Sequence, residues 1–297
     1  MEIADHIACL RSEGELLAEA AERSPLTAPV PTCPGWRIRD LLAHLGFVHR
    51  WATRYVAEGR TEATSEPGEE EIIRLAPADE SLVGWFRAGH ARLVSVLAAA
   101  DPTARCWTFL PAPSPLAFWA RRQAHETAIH RVDAQLAAAA AAAPGADLDP
   151  FPAGLAADGV DELVTGFGGR DPGSLCDAPG VLVIRAEDGA RGADWTVVMG
   201  QPRAGVSRGQ DPAARAAASR PAAAGATVSR ASAAGAPAAG APAAGVTAPA
   251  TAYCEVAGPA TVLYLMLWNR GSAAGLDVRG DDGVLAAWRD RMQVRWD

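Results

Sequence analysis

The sequence contains no lysine: all 27 of its basic residues are arginine, set against 35 aspartates and glutamates. That absence excludes Schiff-base chemistry, an amine nucleophile and a phosphate-loop lysine. The acidic balance and the lack of any basic block exclude a non-specific nucleic-acid binder, which needs clustered cations to displace phosphate counterions. Cysteine is scarce as well. Cys9, Cys33, Cys106, Cys176 and Cys254 are odd in number, scattered and without a CxxC pair. They read as reduced thiols, not a disulfide framework or a cysteine zinc site. Long apolar runs are missing too: no stretch approaches the roughly 18–20 residues of a membrane helix. The segment from Leu136 to Ala143 is nearly pure alanine and too short. The opening residues Met1-Glu2-Ile3-Ala4-Asp5 carry acids where a signal peptide would carry positive charge, so a cytoplasmic protein is expected, with neither membrane nor nucleic acid as partner.

What the sequence has in excess is alanine, 67 residues of it, in a chain that is 49% hydrophobic and 21% charged. Such a composition suits a soluble globular protein, and 297 residues suit two domains better than one. The surplus of Ala, Gly, Pro and Arg also fits a GC-rich, actinobacterial genome.

Apolar spacing near 3.6 residues predicts four long helices: residues 2–23, about 36–57, about 79–100 and about 116–143. The acidic stretch 60–71 reads as a solvated loop. Four such helices make an antiparallel bundle the natural architecture for residues 1–145. Beyond Pro144 the composition changes. Val181–Arg185 and Trp195–Met199 are rich in β-branched residues and predict a hairpin. Tyr253–Val256 suggests another strand, and 158–167, 262–269 and 283–294 suggest helices. Residues 151–297 therefore read as a small α+β domain. It is interrupted at about 205–249 by an Ala/Pro/Gly-rich tract that has almost nothing to bury and is expected to be disordered.

The chemically dense segment is Arg121-Arg122-Gln123-Ala124-His125-Glu126-Thr127-Ala128-Ile129-His130-Arg131-Val132-Asp133. At about 100° per residue, His125 and His130 stand about 140° apart and cannot share a ligand on a regular helix. Glu126 and His130 are only about 40° apart, and Arg122 and Asp133 extend the same face by one turn either way. A carboxylate and an imidazole so placed can supply two ligands of a zinc-type site; equally, they can be a surface pair, with Arg122 and Asp133 bridged within the helix. A third ligand must come from another helix. His44 lies on a core-facing stripe with Leu41, Leu45 and Val48, whereas His49, flanked by Arg50, reads as a surface residue. His44 could also be an ordinary hydrogen-bonded core histidine. Cys33 has no visible base beside it and reads as packing.

Two separated motifs carry a family resemblance. Val30-Pro31-Thr32-Cys33-Pro34-Gly35-Trp36, running into Arg39-Asp40-Leu41-Leu42-Ala43-His44-Leu45, and Phe118-Trp119-Ala120-Arg121 through Asp133 resemble the maleylpyruvate isomerase family of mycothiol-dependent enzymes. The tail from Leu263 to Trp288 is similar to that family's second domain. The resemblance implies a DinB-like four-helix bundle followed by a small sterol-carrier-like α+β domain. It also implies a divalent metal, typically zinc, held by His44, Glu126 and His130, with Asp133 and Arg122 supporting the ligands. Mycothiol would be the thiol cosubstrate and a small electrophilic organic acid the substrate. An arginine of the second domain is implied as well, and the low-complexity tract leaves it unplaced. The alternative is a non-enzymatic, metal-containing small-ligand binding protein.

Overall fold

The structure, a computed structural model, describes residues 1–65, 68–141, 148–168, 175–188, 193–201, 205–209 and 252–294. Four long helices, α1 (Ile3–Glu22), α2 (Ile38–Glu58), α4 (Asp79–Ala99) and α5 (Pro115–Ala141), form the N-terminal region. They pack in a closed ring: α1 lies on α5, α5 on α2, α2 on α4, and α4 on α1. Asp40 starts α2 by accepting from the Arg37 amide at 3.0 Å, and Gly59 ends it with a left-handed φ of 61°. A short helix, α3 (Glu69–Leu75), falls partly within the acidic stretch expected to be a loop. Glu70 and Glu71 sit in its first turn, where the backbone dipole favours negative charge, and Ile72 is buried.

Helix α5 is buried on almost every face, including Arg122, Gln123, His125, Glu126, Thr127, His130, Arg131 and Asp133. Buried polar groups must find partners, so this helix organises the molecule's polar interior.

The second half begins with α6 (Ala153–Asp161), which continues into a π-helical turn at Glu162–Phe167. Five strands follow, β1 (Gly180–Ala186), β2 (Asp194–Met199), β3 (Gly205–Arg208), β4 (Tyr253–Gly258) and β5 (Asp277–Gly280), in the sheet order β3-β2-β1-β4-β5. Among the described residues, only the β1/β4 pair is parallel. Helices α7 (Ala260–Leu267) and α8 (Asp282–Arg291) complete the mixed α+β region. The β1/β2 hairpin and β4 stand where the β-branched residues predict them. The start of the low-complexity tract is corrected: Gly205–Arg208 is an edge strand, paired with β2 from Trp195↔Arg208 to Val198↔Gly205. Arg208 fixes that edge by reaching Asp161 of α6 with two hydrogen bonds of 2.6 Å. The expected disorder of residues 210–249 lies outside the described residues.

One apolar core unites the two halves. It runs from Leu10, Trp51, Tyr55 and Trp119 of the helical region through Leu155 and Leu163 to Leu182, Val197, Leu263 and Trp288. Among the described residues no helix is long and apolar enough to cross a membrane.

Candidate metal centre

Arg122, Glu126, His130 and Asp133 lie along one side of α5, as helical spacing requires, and α2 brings His44 to meet them. The His44 Nε2 stands 3.1 Å from Glu126 Oε1, and the His130 Nε2 stands 3.4 Å from the same oxygen. All three residues are buried. The loop before α2 folds over them. Val30 and Cys33 are closed into a turn by amide bonds to the Trp36 and Val30 carbonyls (2.9 and 3.1 Å), and Gly35 supplies the positive φ of 89° that the turn needs. Trp36 thereby comes to rest against both imidazoles, its ring centroid 5.0 Å from that of His44 and 6.0 Å from that of His130.

The outer hydrogen bonds orient the three side chains. Arg122, fully buried, donates Nη2 to Glu126 Oε2 at 2.9 Å and Nη1 to Glu162 of the π-helical turn. Asp133 accepts from His130 Nδ1 at 2.8 Å. With Nδ1 committed to Asp133, Nε2 is the ring atom turned towards Glu126 and His44, the one that a metal would take in place of its proton. Burial disfavours charge on Glu126 and His130 alike, but their hydrogen bonds and mutual attraction outweigh it. Glu126 is held well below the usual carboxylate range and His130 well above the usual imidazole range.

Asp133 is itself pinned from three directions. Arg270, in the turn after α7, donates Nε to Oδ1 and Nη2 to Oδ2, both at 2.9 Å. Thr32 donates its hydroxyl to Oδ1, and the Cys33 thiol lies 3.3 Å from Oδ2. Burial would raise the Asp133 carboxyl, but the Arg270 charge and the His130 contact override it and hold it well below its ordinary value. Arg270 is aimed by the end of α7. Its amide bonds to the Leu265 carbonyl at 2.7 Å and the Asn269 amide to that of Met266 at 3.1 Å, while Asn269 takes a left-handed φ of 61°. That pair of bonds is the Schellman helix ending.

Several expectations change. Arg122 and Asp133 do bridge within the helix, to Glu126 and His130, but each also binds a group from the second half of the chain, Glu162 and Arg270. His49 is not a surface residue but fully buried, its Nε2 2.9 Å from Thr127 Oγ1. Arg50 beside it turns its charge onto the Gly46 and Trp85 carbonyls, both at 2.7 Å. Cys33 is not simple packing, since it touches Asp133 and lies 3.7 Å from Arg270 Nη2. Arg270 itself carried no signal in the sequence beyond a helix-ending asparagine before it. His125 faces away from His130, as its angular offset demands, and bonds to Asp158 and Tyr264.

The helical segment that holds these groups matches the family model described as mycothiol maleylpyruvate isomerase N-terminal domain. The match spans residues 7–135. The matched segment includes His44, Glu126, His130, Asp133 and Cys33, while Glu162 and Arg270 reach it from outside. The whole chain is similar in fold to the crystal structure of the mycothiol-dependent maleylpyruvate isomerase. The TM-score is 0.50 at 13% identity, over 94% of this chain and 93% of that chain. No curated protein matches the sequence.

Proposed function

We propose that the chain is a metal-dependent, mycothiol-using isomerase or thiol transferase that acts on a small electrophilic organic acid. The observation that carries this reading is the convergence of two imidazole nitrogens on one carboxylate oxygen, inside the segment that matches the isomerase family model. The residues fit a divalent ion such as zinc. Four-coordinate zinc with bonds of about 2.0–2.1 Å spaces its ligand atoms about 3.3–3.4 Å apart. The two histidine–glutamate separations are 3.1 and 3.4 Å. His44, Glu126 and His130 would hold the ion, leaving the open position that a catalytic site keeps. When bound, the ion supplies the positive charge that keeps a thiol as its nucleophilic thiolate near neutral pH.

The chain's own residues then have separate tasks. Arg122 fixes the Glu126 carboxylate, and Asp133 fixes the His130 ring. Thr32 and Arg270 fix Asp133 in turn. We read Arg270 as the second-domain arginine that the family resemblance implies. Its donors are committed to Asp133 and to the Trp268 carbonyl, 2.9 Å away, so its task is positioning. Trp36 and the Cys33 loop cover one side and limit water at the thiol.

The test is zinc content together with mycothiol-dependent turnover of maleylpyruvate. Replacing His44 and His130 by Ala should remove one equivalent of zinc and abolish turnover. Unchanged zinc content in that variant overturns the proposal.

A further inference from the structure

A second group of ligand-type side chains lies on the other side of α5. His6 of α1 points its Nε2 at Asp158 Oδ2 (3.0 Å), and His125 of α5 points its Nε2 at the same oxygen (2.8 Å). A set of ligand atoms, one from each residue, lies within 4.8 Å of one another. Both imidazoles are buried, and Asp158 is only partly so. His6 and Asp158 line a cavity of about 780 Å³ between α1, α5 and the π-helical turn.

This cluster resembles the first one in part: an arginine and a ligand-type side chain, Arg121 and His125, stand one turn apart on α5. There, two histidines meet Glu126 and Arg122 holds the carboxylate. Here, two histidines meet Asp158, but Arg121 Nε donates to the same oxygen, Oδ2, at 2.7 Å, whereas Arg122 takes the Glu126 oxygen that the histidines leave. The arginine anchors itself further on Asp161 Oδ2 at 2.9 Å and on the Asp158 carbonyl at 2.7 Å. A guanidinium on a ligating carboxylate is the ordinary outer support of a metal site; with Arg121 on Oδ2, the oxygen left for an ion is Oδ1, which lies 3.8 Å from the amino terminus. Tyr264 supports the far side of the His125 ring, its hydroxyl 3.1 Å from Nδ1. In contrast, the third cluster, Cys33, His130 and Asp133, offers a carboxylate whose oxygens are already taken by Arg270 and Thr32.

We propose that His6, His125 and Asp158 form a second site for a divalent first-row transition-metal ion. Two imidazoles and one carboxylate select that class of ion over calcium or magnesium, which prefer all-oxygen shells. The cavity side leaves room for water to complete the coordination. The ion ties α1, α5 and α6 together. Because α6 runs into the turn that carries Glu162, the partner of Arg122, it also steadies the support of the first site.

The experiment is a Co²⁺ titration of the metal-stripped full chain, followed by visible absorption, with zinc content measured after dialysis. The deciding comparison is His6→Gln against the unmodified protein. The variant should bind one equivalent fewer while His44→Ala, titrated in parallel, still shows the equivalent that His6→Gln loses. Should His6→Gln fold poorly, the His44→Ala plus His130→Ala protein provides the second measurement and should retain one equivalent of Co²⁺. Unchanged stoichiometry in folded His6→Gln, or no Co²⁺ bound by the double variant, overturns the second site. Loss confined to the His44 variants speaks for the first site alone.

Discussion

Replacing Arg270 by Ala tests whether the second domain sets the geometry of the first. Asp133 is fully buried and accepts two charged hydrogen bonds from Arg270. Removing one partner of a buried ion pair costs about 3–5 kcal/mol, because the remaining charge stays buried. Here the lower end applies. The Arg270 side chain retains 17% exposure, and Asp133 keeps its bonds from His130 and Thr32. A loss of about 3 kcal/mol, with a urea slope of roughly 3 kcal/mol per molar, moves the unfolding midpoint down by about 1 M. The pH dependence supplies a second signature. Asp133 has a depressed folded pKa, so its charged form stabilises the fold above the unfolded value of about 3.9, and the benefit is lost as pH falls through the folded value. Without Arg270, burial pushes that carboxyl up. The gap between variant and unmodified protein should therefore be widest near pH 7 and close on acidification below about pH 4. Urea unfolding at several pH values measures both. A midpoint shift below about 0.3 M at pH 7, or a gap that does not narrow in acid, would refute the reasoning. Arg270→Lys, which keeps charge but loses the two-pronged fork, should fall between the two.

Asn269→Ala should cost about 1–2 kcal/mol in thermal unfolding, since a left-handed φ of 61° penalises a Cβ without a polar side chain. Asn269→Gly should cost less, losing chiefly the bond from Nδ2 to the Arg289 carbonyl at 2.9 Å. Cys9 and Cys254 are buried, and burial, with help from nearby carboxylates, pushes each thiol up to about 11. An aromatic disulfide reagent at pH 8 should leave both unmodified in the native chain and titrate all five cysteines after denaturation. Arg122→Met strands two buried carboxylates and should destabilise by about 3–5 kcal/mol in urea. Adding Glu162→Gln should recover part of that loss, and strict additivity of the two changes would refute their coupling.

Local patterns carried much of this protein in its sequence. The four long helices follow from apolar spacing, and the stripe of Arg122, Glu126, His130 and Asp133 follows from helical geometry alone. His44 was legible because its leucine neighbours mark the inward face of α2. His49 was misread for an instructive reason: a flanking arginine signals solvent only if its charge goes there, and Arg50 instead lies 3.8 Å above the Trp85 ring. Long-range pairs were not legible. Thr32, Glu162, Arg270 and Asp158 meet α5 across tens to more than a hundred residues of chain, and nothing local marks those encounters. The parallel pairing of β1 with β4 likewise joins strands on either side of the low-complexity tract.

The separation of 137 residues between Asp133 and Arg270 has a consequence for the order in which the protein is made. His44, Glu126 and His130 are all synthesised long before the turn that follows α7. At ~5–20 residues per second, the ribosome reaches Arg270 about 7–27 s after Asp133. During that interval His44, Glu126 and His130 have all been made, while Asp133 still lacks the guanidinium that fixes it. An early-arriving ion would thus find a looser site than the finished protein presents, and docking of the α7 turn would be the step that tightens it. Chains interrupted before residue 270 would keep His44, Glu126 and His130 and lose that final adjustment.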